Sequence, residues 1–157
     1  MKNQKGFTLI ELLIVIAIIA ILAVVVFVAL DPLARFQDAR DAQRWSDVTA
    51  ITEALKLDQV DNAGSYLTAV TNLTAALNYT IGTCSTGGNA GCTAVTTQTA
   101  CADLTGLVTD GYLPTVPTDP STGVDSLTDY YITKSSTGSL TIGSCDPEGG
   151  SAISVAR

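Results

Sequence analysis

Lys5–Leu30 reads KGFTLIELLIVIAIIAILAVVVFVAL, an apolar run with a single acid, Glu11, near its start. Leu12–Leu30 is nineteen consecutive apolar residues. A helix from Phe7 to Leu30 would be about 36 Å long at about 1.5 Å per residue, enough to span a hydrocarbon core of about 30 Å. A secretory signal carries only about 7–15 apolar residues before a small-residue cleavage site, so this run predicts a membrane-spanning helix instead. Lys2 and Lys5 precede it. By the positive-inside rule they place the N-terminus in the cytoplasm and the rest of the chain outside.

Glu11 is the residue that does not belong. An ionised carboxylate in hydrocarbon costs several kcal/mol unless it is paired or stays near the interface. One reading seats it at headgroup level, one turn inside the helix N-terminus, where the macrodipole favours an acid. The other requires a cation at the same depth, and no Lys, Arg or His lies between Lys5 and Arg35. A free α-amine made by cleavage just before Phe7 would supply it.

Lys5–Leu22, KGFTLIELLIVIAIIAIL, resembles the class III signal of the type IV pilin and type II secretion pseudopilin superfamily. That resemblance implies a leader of residues 1–6, cut after Gly6 by a prepilin peptidase that also methylates the new N-terminal Phe7. It further implies that Glu11 docks each incoming subunit against the terminal amine of another. Two departures stand out: AIIAILAVVV holds no glycine in the middle of the apolar half, and Pro32 falls about one turn later than the usual proline.

Beyond the apolar run, Asp31-Pro32 interrupts the pattern without ending it, and Pro inside a helix removes a hydrogen bond and kinks it. Leu33, Phe36, Val48, Ile51, Leu55 and Leu57 then recur near helical spacing. Arg35, Asp38, Arg40, Asp41, Arg44 and Asp47 mark the other face, with i,i+3 pairs Arg35/Asp38 and Arg44/Asp47, read mostly as a solvated face. The expectation is an amphipathic helix to about Val60, stopped near Asn62 and Gly64, within a half-helix of residues 31–62.

Residues 63–157 read as an exported globular domain. Leu67, Val70, Leu73 and Leu77 suggest a short helix over 66–78, and Ala102–Val108 a further helical turn. YLPTVPTDPSTG, Tyr112–Gly123, has three prolines at spacing three and must extend or turn. Tyr130–Lys134 and Ser139–Gly143 read as a hairpin across SSTG, and Ala152–Ala156 as a third strand. A long N-terminal helix, half membrane and half amphipathic, against a small antiparallel sheet is an α+β fold and, by the resemblance, pilin-like.

The net charge is −7; without Lys2 and Lys5, six basic residues face fifteen acidic ones, −9. Such a body argues against nonspecific binding of nucleic acid through a basic surface. Cys84, Cys92, Cys101 and Cys145 all follow the apolar run, with no histidine and no C-x-x-C spacing, which disfavours zinc. An even count in a small exported domain favours two disulfides. Three pairings are open, with Cys84–Cys92 and Cys101–Cys145 preferred as closing a Gly-rich loop and tying back the C-terminus.

The Pro-rich stretch followed by Asp and paired tyrosines also resembles the C-terminal part of major pseudopilins, where a calcium-binding loop occurs. On that resemblance Asp119, Asp125 and Asp129 are calcium candidates, although turn-forming surface aspartates are the commoner explanation and no EF-hand spacing exists. Asn72-Leu-Thr and Asn78-Tyr-Thr are sequons of the kind a Thr-rich chain produces by chance. No catalytic constellation is legible. Histidine is absent, Lys134 is the sole lysine after Lys56, and neither Gly87-Gly88 nor Gly149-Gly150 has the context of a phosphate-binding loop.

These readings expect a structural subunit with no cofactor and no enzymatic activity. The resemblance implies its partners: copies of itself in a helical filament, the prepilin peptidase, an assembly platform and the membrane. The resemblance points first to the subunit of an extracellular type IV pilus; against it stand a pseudopilin of a type II secretion system and a signal-anchored binding protein that never polymerises. Adhesion, twitching movement and DNA uptake would all be uses of the same filament.

Overall fold

The computed structural model describes residues 6–84, 87–89 and 91–157. The chain divides into two compact units, Met1–Phe36 and Gln37–Arg157.

The first unit holds α1, Leu9–Leu30, and the opening of α2, Pro32–Asp61. No residue of α1 is buried. Asp31 separates the helices in the left-handed region, with φ 37° and ψ 70°. The expected bend takes the form of a one-residue interruption between the two helices. A residue before proline is pushed out of the α region, while Pro suits the first position of a helix, where no N–H is needed. Asp31 caps the new start: its carbonyl accepts from the Arg35 N–H at 3.3 Å.

In the second unit the rest of α2 packs on a four-stranded antiparallel sheet. Its strands, in spatial as in chain order, are β1 (Asn78–Thr80), β2 (Tyr130–Lys134), β3 (Leu140–Ser144) and β4 (Ser154–Ala156). Register lines up Tyr79, Ile132, Ile142 and Val155 as one row across all four strands. Val48, Ile51 and Leu55 of α2 belong to the same buried cluster, as do Leu104, Leu107 and Leu113. This row of side chains facing one helix is the core of the second unit, worth roughly 1.5–3 kcal/mol per fully buried large residue.

The β2–β3 hairpin falls where SSTG predicts it. Ser135 N–H donates to the Ser139 carbonyl at 2.8 Å, and Gly138 takes φ 90°, which a side chain would oppose. The expected helix over 66–78 shrinks to α3, Thr68–Thr71. Threonines 68, 71 and 74 are poor helix formers, and the Ala76 N–H is drawn to the Lys134 carbonyl at 2.8 Å, where the chain turns into β1. The helical turn expected at Ala102–Val108 is α4, Thr105–Thr109.

The disulfides correct the preferred pairing. Cys84 bonds Cys101, and Cys92 bonds Cys145. The segment before Ala102 runs parallel beside β1, with Asn78 bridged to Thr97 and Ile81 to Ala102, which carries Cys101 to within 5.5 Å of Cys84 between Cα atoms. Cys92 instead meets the end of β3, where the Ala94 N–H donates to the Cys145 carbonyl. A short loop between Cys84 and Cys92 was the simplest closure, but backbone pairing with β1 decided otherwise.

The charged stripe of α2 also departs from expectation. Leu57 is half exposed, whereas Arg44 and Asp47 are buried. These two do not pair: Asp47 accepts from Gln43 and from the Tyr130 hydroxyl, at 2.8 and 2.7 Å. Arg44 turns to other carboxylates.

Candidate functional site

Two groups of side-chain contacts stand out, one in each unit.

In the first, Gly6, Phe7 and Thr8 precede α1 outside regular structure, and Phe7 is 89% exposed. Lys5, Lys2 and the rest of the expected leader before Gly6 lie outside the described residues. Nothing among the described residues shields the Gly6–Phe7 bond, and a Cβ on Gly6 would meet nothing within 4 Å. Thr8 is the N-cap of α1, with φ −80° and ψ 154°. Its hydroxyl accepts from the Glu11 N–H at 3.3 Å, and the Glu11 carboxylate accepts from the Thr8 N–H at 2.8 Å and the Thr8 hydroxyl at 2.7 Å.

This is a capping box, which satisfies two orphan N–H groups reciprocally and sets an anion on the positive end of the helix. Both of those bonds fall on Oε2, so one carboxylate oxygen of Glu11 keeps its accepting capacity among the described residues. Thr8 was missed as a partner of Glu11, although Thr-x-x-Glu ahead of an apolar run is its sequence signal.

Behind the box, Leu12, Ile16, Ile19, Val26 and Phe27 are all exposed, as is every other large residue of α1. The helix is long and apolar enough to cross a membrane, and none of its apolar window is buried. An all-round apolar helix of this kind belongs in lipid or among other helices.

The second place is a cluster of charges in the second unit. Arg44 is fully buried, and its guanidinium grips Asp119 through Nε to Oδ2 and through Nη2 to Oδ1 at 3.0 Å. Nη1 reaches Asp41 at 2.8 Å, and Nη2 also reaches Ser121 Oγ at 3.0 Å and Glu148 at 3.3 Å. Arg40 closes a second fork on Glu148. Burial alone would push the Asp119 carboxyl up, but the bonds from Arg44 and Ser121 prevail and hold it down at about 2. The bond to Asp119 raises the Arg44 guanidinium well above its usual value, against its burial.

The three calcium candidates do not converge. Asp119 serves Arg44; Asp125 is exposed and lines a separate cavity of about 510 Å³ with Asp103. Asp129 is buried, and that burial, with the charges of Asp146 and Asp119, pushes its carboxyl up against a bond from Thr122. Among the described residues no three acidic, cysteine or histidine side chains form a group that could hold a metal. Of the sequons, Asn72 is exposed at the end of α3, while the Asn78 amide is tied to the Thr96 carbonyl and the Thr133 hydroxyl.

Residues 1–27 match the prokaryotic N-terminal methylation motif, the class III signal characteristic of type IV pilin and pseudopilin precursors. The match ends inside α1. No curated protein and no solved structure matches the chain. The motif supports a precursor of the pilin or pseudopilin kind and implies processing by a prepilin peptidase.

Proposed function

We propose that this protein is the structural subunit of an extracellular type IV pilus, stored in the cytoplasmic membrane and assembled by its N-terminal helix after leader cleavage. One observation carries the reading: α1, which begins within the methylation motif and runs past its end, exposes apolar surface on every side, with Glu11 as its one ionisable group. Such a surface needs lipid before assembly and sister helices after it.

In this reading the peptidase cuts the exposed Gly6–Phe7 bond and frees the amine of Phe7. The capping box presents Glu11 at the tip of the helix, and its carboxylate pairs with the amine of a neighbouring copy. That pairing is favourable because both charges lie in an apolar bundle where each would be costly alone. The exported unit decorates the filament and performs no catalysis.

N-terminal mass spectrometry of sheared surface filaments tests the proposal. A chain beginning at N-methylated Phe7 in long filaments is the expected result. A chain beginning at Met1 in assembled material would contradict it. Mature chain confined to the cell envelope, and absent from long filaments, would favour the pseudopilin instead.

A further inference from the structure

The resemblance to major pseudopilins raises calcium as the tie that would organise the loop after Pro117. The donors do not fit it. Calcium takes about six to eight oxygens at roughly 2.3–2.6 Å, yet Asp119 gives its oxygens to the Arg44 guanidinium and to Ser121, whose N–H and hydroxyl reach Oδ1 at 2.9 and 2.8 Å. Asp125 lies exposed on another cavity.

We infer that the buried Arg44 guanidinium is the built-in cation of the exported unit, binding together the segments a calcium ion would otherwise have to bridge, so that this fold is independent of calcium. Three stretches of chain meet on it. Asp41 comes from α2 itself, Asp119 and Ser121 from the turn after Pro117, and Glu148 from the loop between β3 and β4. The Glu148 and Gly149 N–H groups return to Asp41, at 3.1 and 2.6 Å, so the last loop is held through its backbone as well.

Charge accounts for the choice. Arg40 and Arg44 face Asp41, Asp119 and Glu148, two cations against three anions, with Asp146 and Asp129 close by. Without Arg44 the acids would repel and need a metal or protons. With it, a calcium ion on Asp119 would face the guanidinium's charge, and displacing Arg44 to admit one would leave a buried arginine unpaired, which is strongly unfavourable. The planar fork of arginine matches the two oxygens of Asp119, which a lysine could not do.

Thermal unfolding of the full chain in detergent micelles tests this, followed by fluorescence of Trp45, the only tryptophan and the neighbour of Arg44. The expected Tm is the same in excess EGTA as in millimolar calcium chloride. Arg44→Gln should lower it by on the order of 10 °C in either buffer. If that variant does not fold, Arg44→Lys serves, with a smaller loss that calcium does not repair. A wild-type Tm that drops in EGTA and recovers with calcium would overturn the inference. So would an Arg44→Lys or Arg44→Gln protein as stable as the wild type, or saturable calcium binding in a calorimeter that Asp119→Asn abolishes.

Discussion

Glu11 and Asp119 are both carboxylates held by hydrogen bonds, and they behave differently because of where they sit. Glu11 is exposed and, among the described residues, bonded to Thr8 at its own helix start. In the proposed filament its role is assembly, so Glu11→Ala should leave precursor levels and membrane insertion intact while long filaments disappear from sheared fractions under electron microscopy. Asp119 is buried, and its carboxyl is held near 2 against an ordinary 3.8. A depressed acid contributes stability that is fully present above its unfolded value and lost as pH falls through the folded one. Unfolding curves should therefore show about 2 kcal/mol lost between roughly pH 4 and 2, a loss that Asp119→Asn removes along with stability at neutral pH. Asp129 has the opposite sign. Burial and the neighbouring acids raise it, so its charge at neutral pH opposes folding. Asp129 also holds φ 59°, which asparagine tolerates well. Asp129→Asn should raise Tm at pH 7, and the gain should fade as the wild-type acid protonates at low pH. Glu11 was legible from its chemical incongruity in an apolar run. Asp119 and Asp129 were legible only as aspartates, because nothing in their local sequence says which would meet a guanidinium.

At the scale of elements, α2 and the β2–β3 hairpin could be read from periodicity and turn residues, with boundaries off by a residue or so. β1 was not read at all, with only Asn78 falling at the end of the helix expected over 66–78, since three residues carry almost no periodic signal and only backbone pairing makes them a strand. The turn after Pro117 depends on close approach: a Cβ on Gly123 would fall 2.3 Å from the Asp119 nitrogen and 2.7 Å from the Thr128 carbonyl oxygen. Gly123→Ala should therefore break the Asp119–Thr128 backbone bond and lower Tm sharply, more than alanine at the exposed Gly111 does. The crosslinks make a further prediction. Non-reducing peptide maps should recover Cys84 with Cys101 and Cys92 with Cys145. Replacing Cys92 and Cys145 together by serine, which opens a loop with separation 53, should cost on the order of 4 kcal/mol in the chain-entropy view.

The whole molecule is two units with different solvents in mind. Among the described residues, Gln37–Arg157 contains every buried core residue, while α1 contains none. Deleting residues 1–36 should yield a soluble monomer by gel filtration that keeps both disulfides, whereas the full chain needs detergent or a filament; aggregation of the truncated chain in its oxidised form would count against this division. By itself the sequence determined α1 and the α+β order of elements, and marked Gly6–Phe7 as the expected processing site, because hydropathy and turn chemistry act over a few residues and are written where they act. Only the tertiary structure decided which cysteines pair and that Arg44 lies buried on Asp119, 75 residues away along the chain. Those outcomes depend on how β1 draws the Cys101 segment alongside it and how two loops return to α2. Long-range approach of that kind is settled by the packing of the core, and no local window of residues carries it.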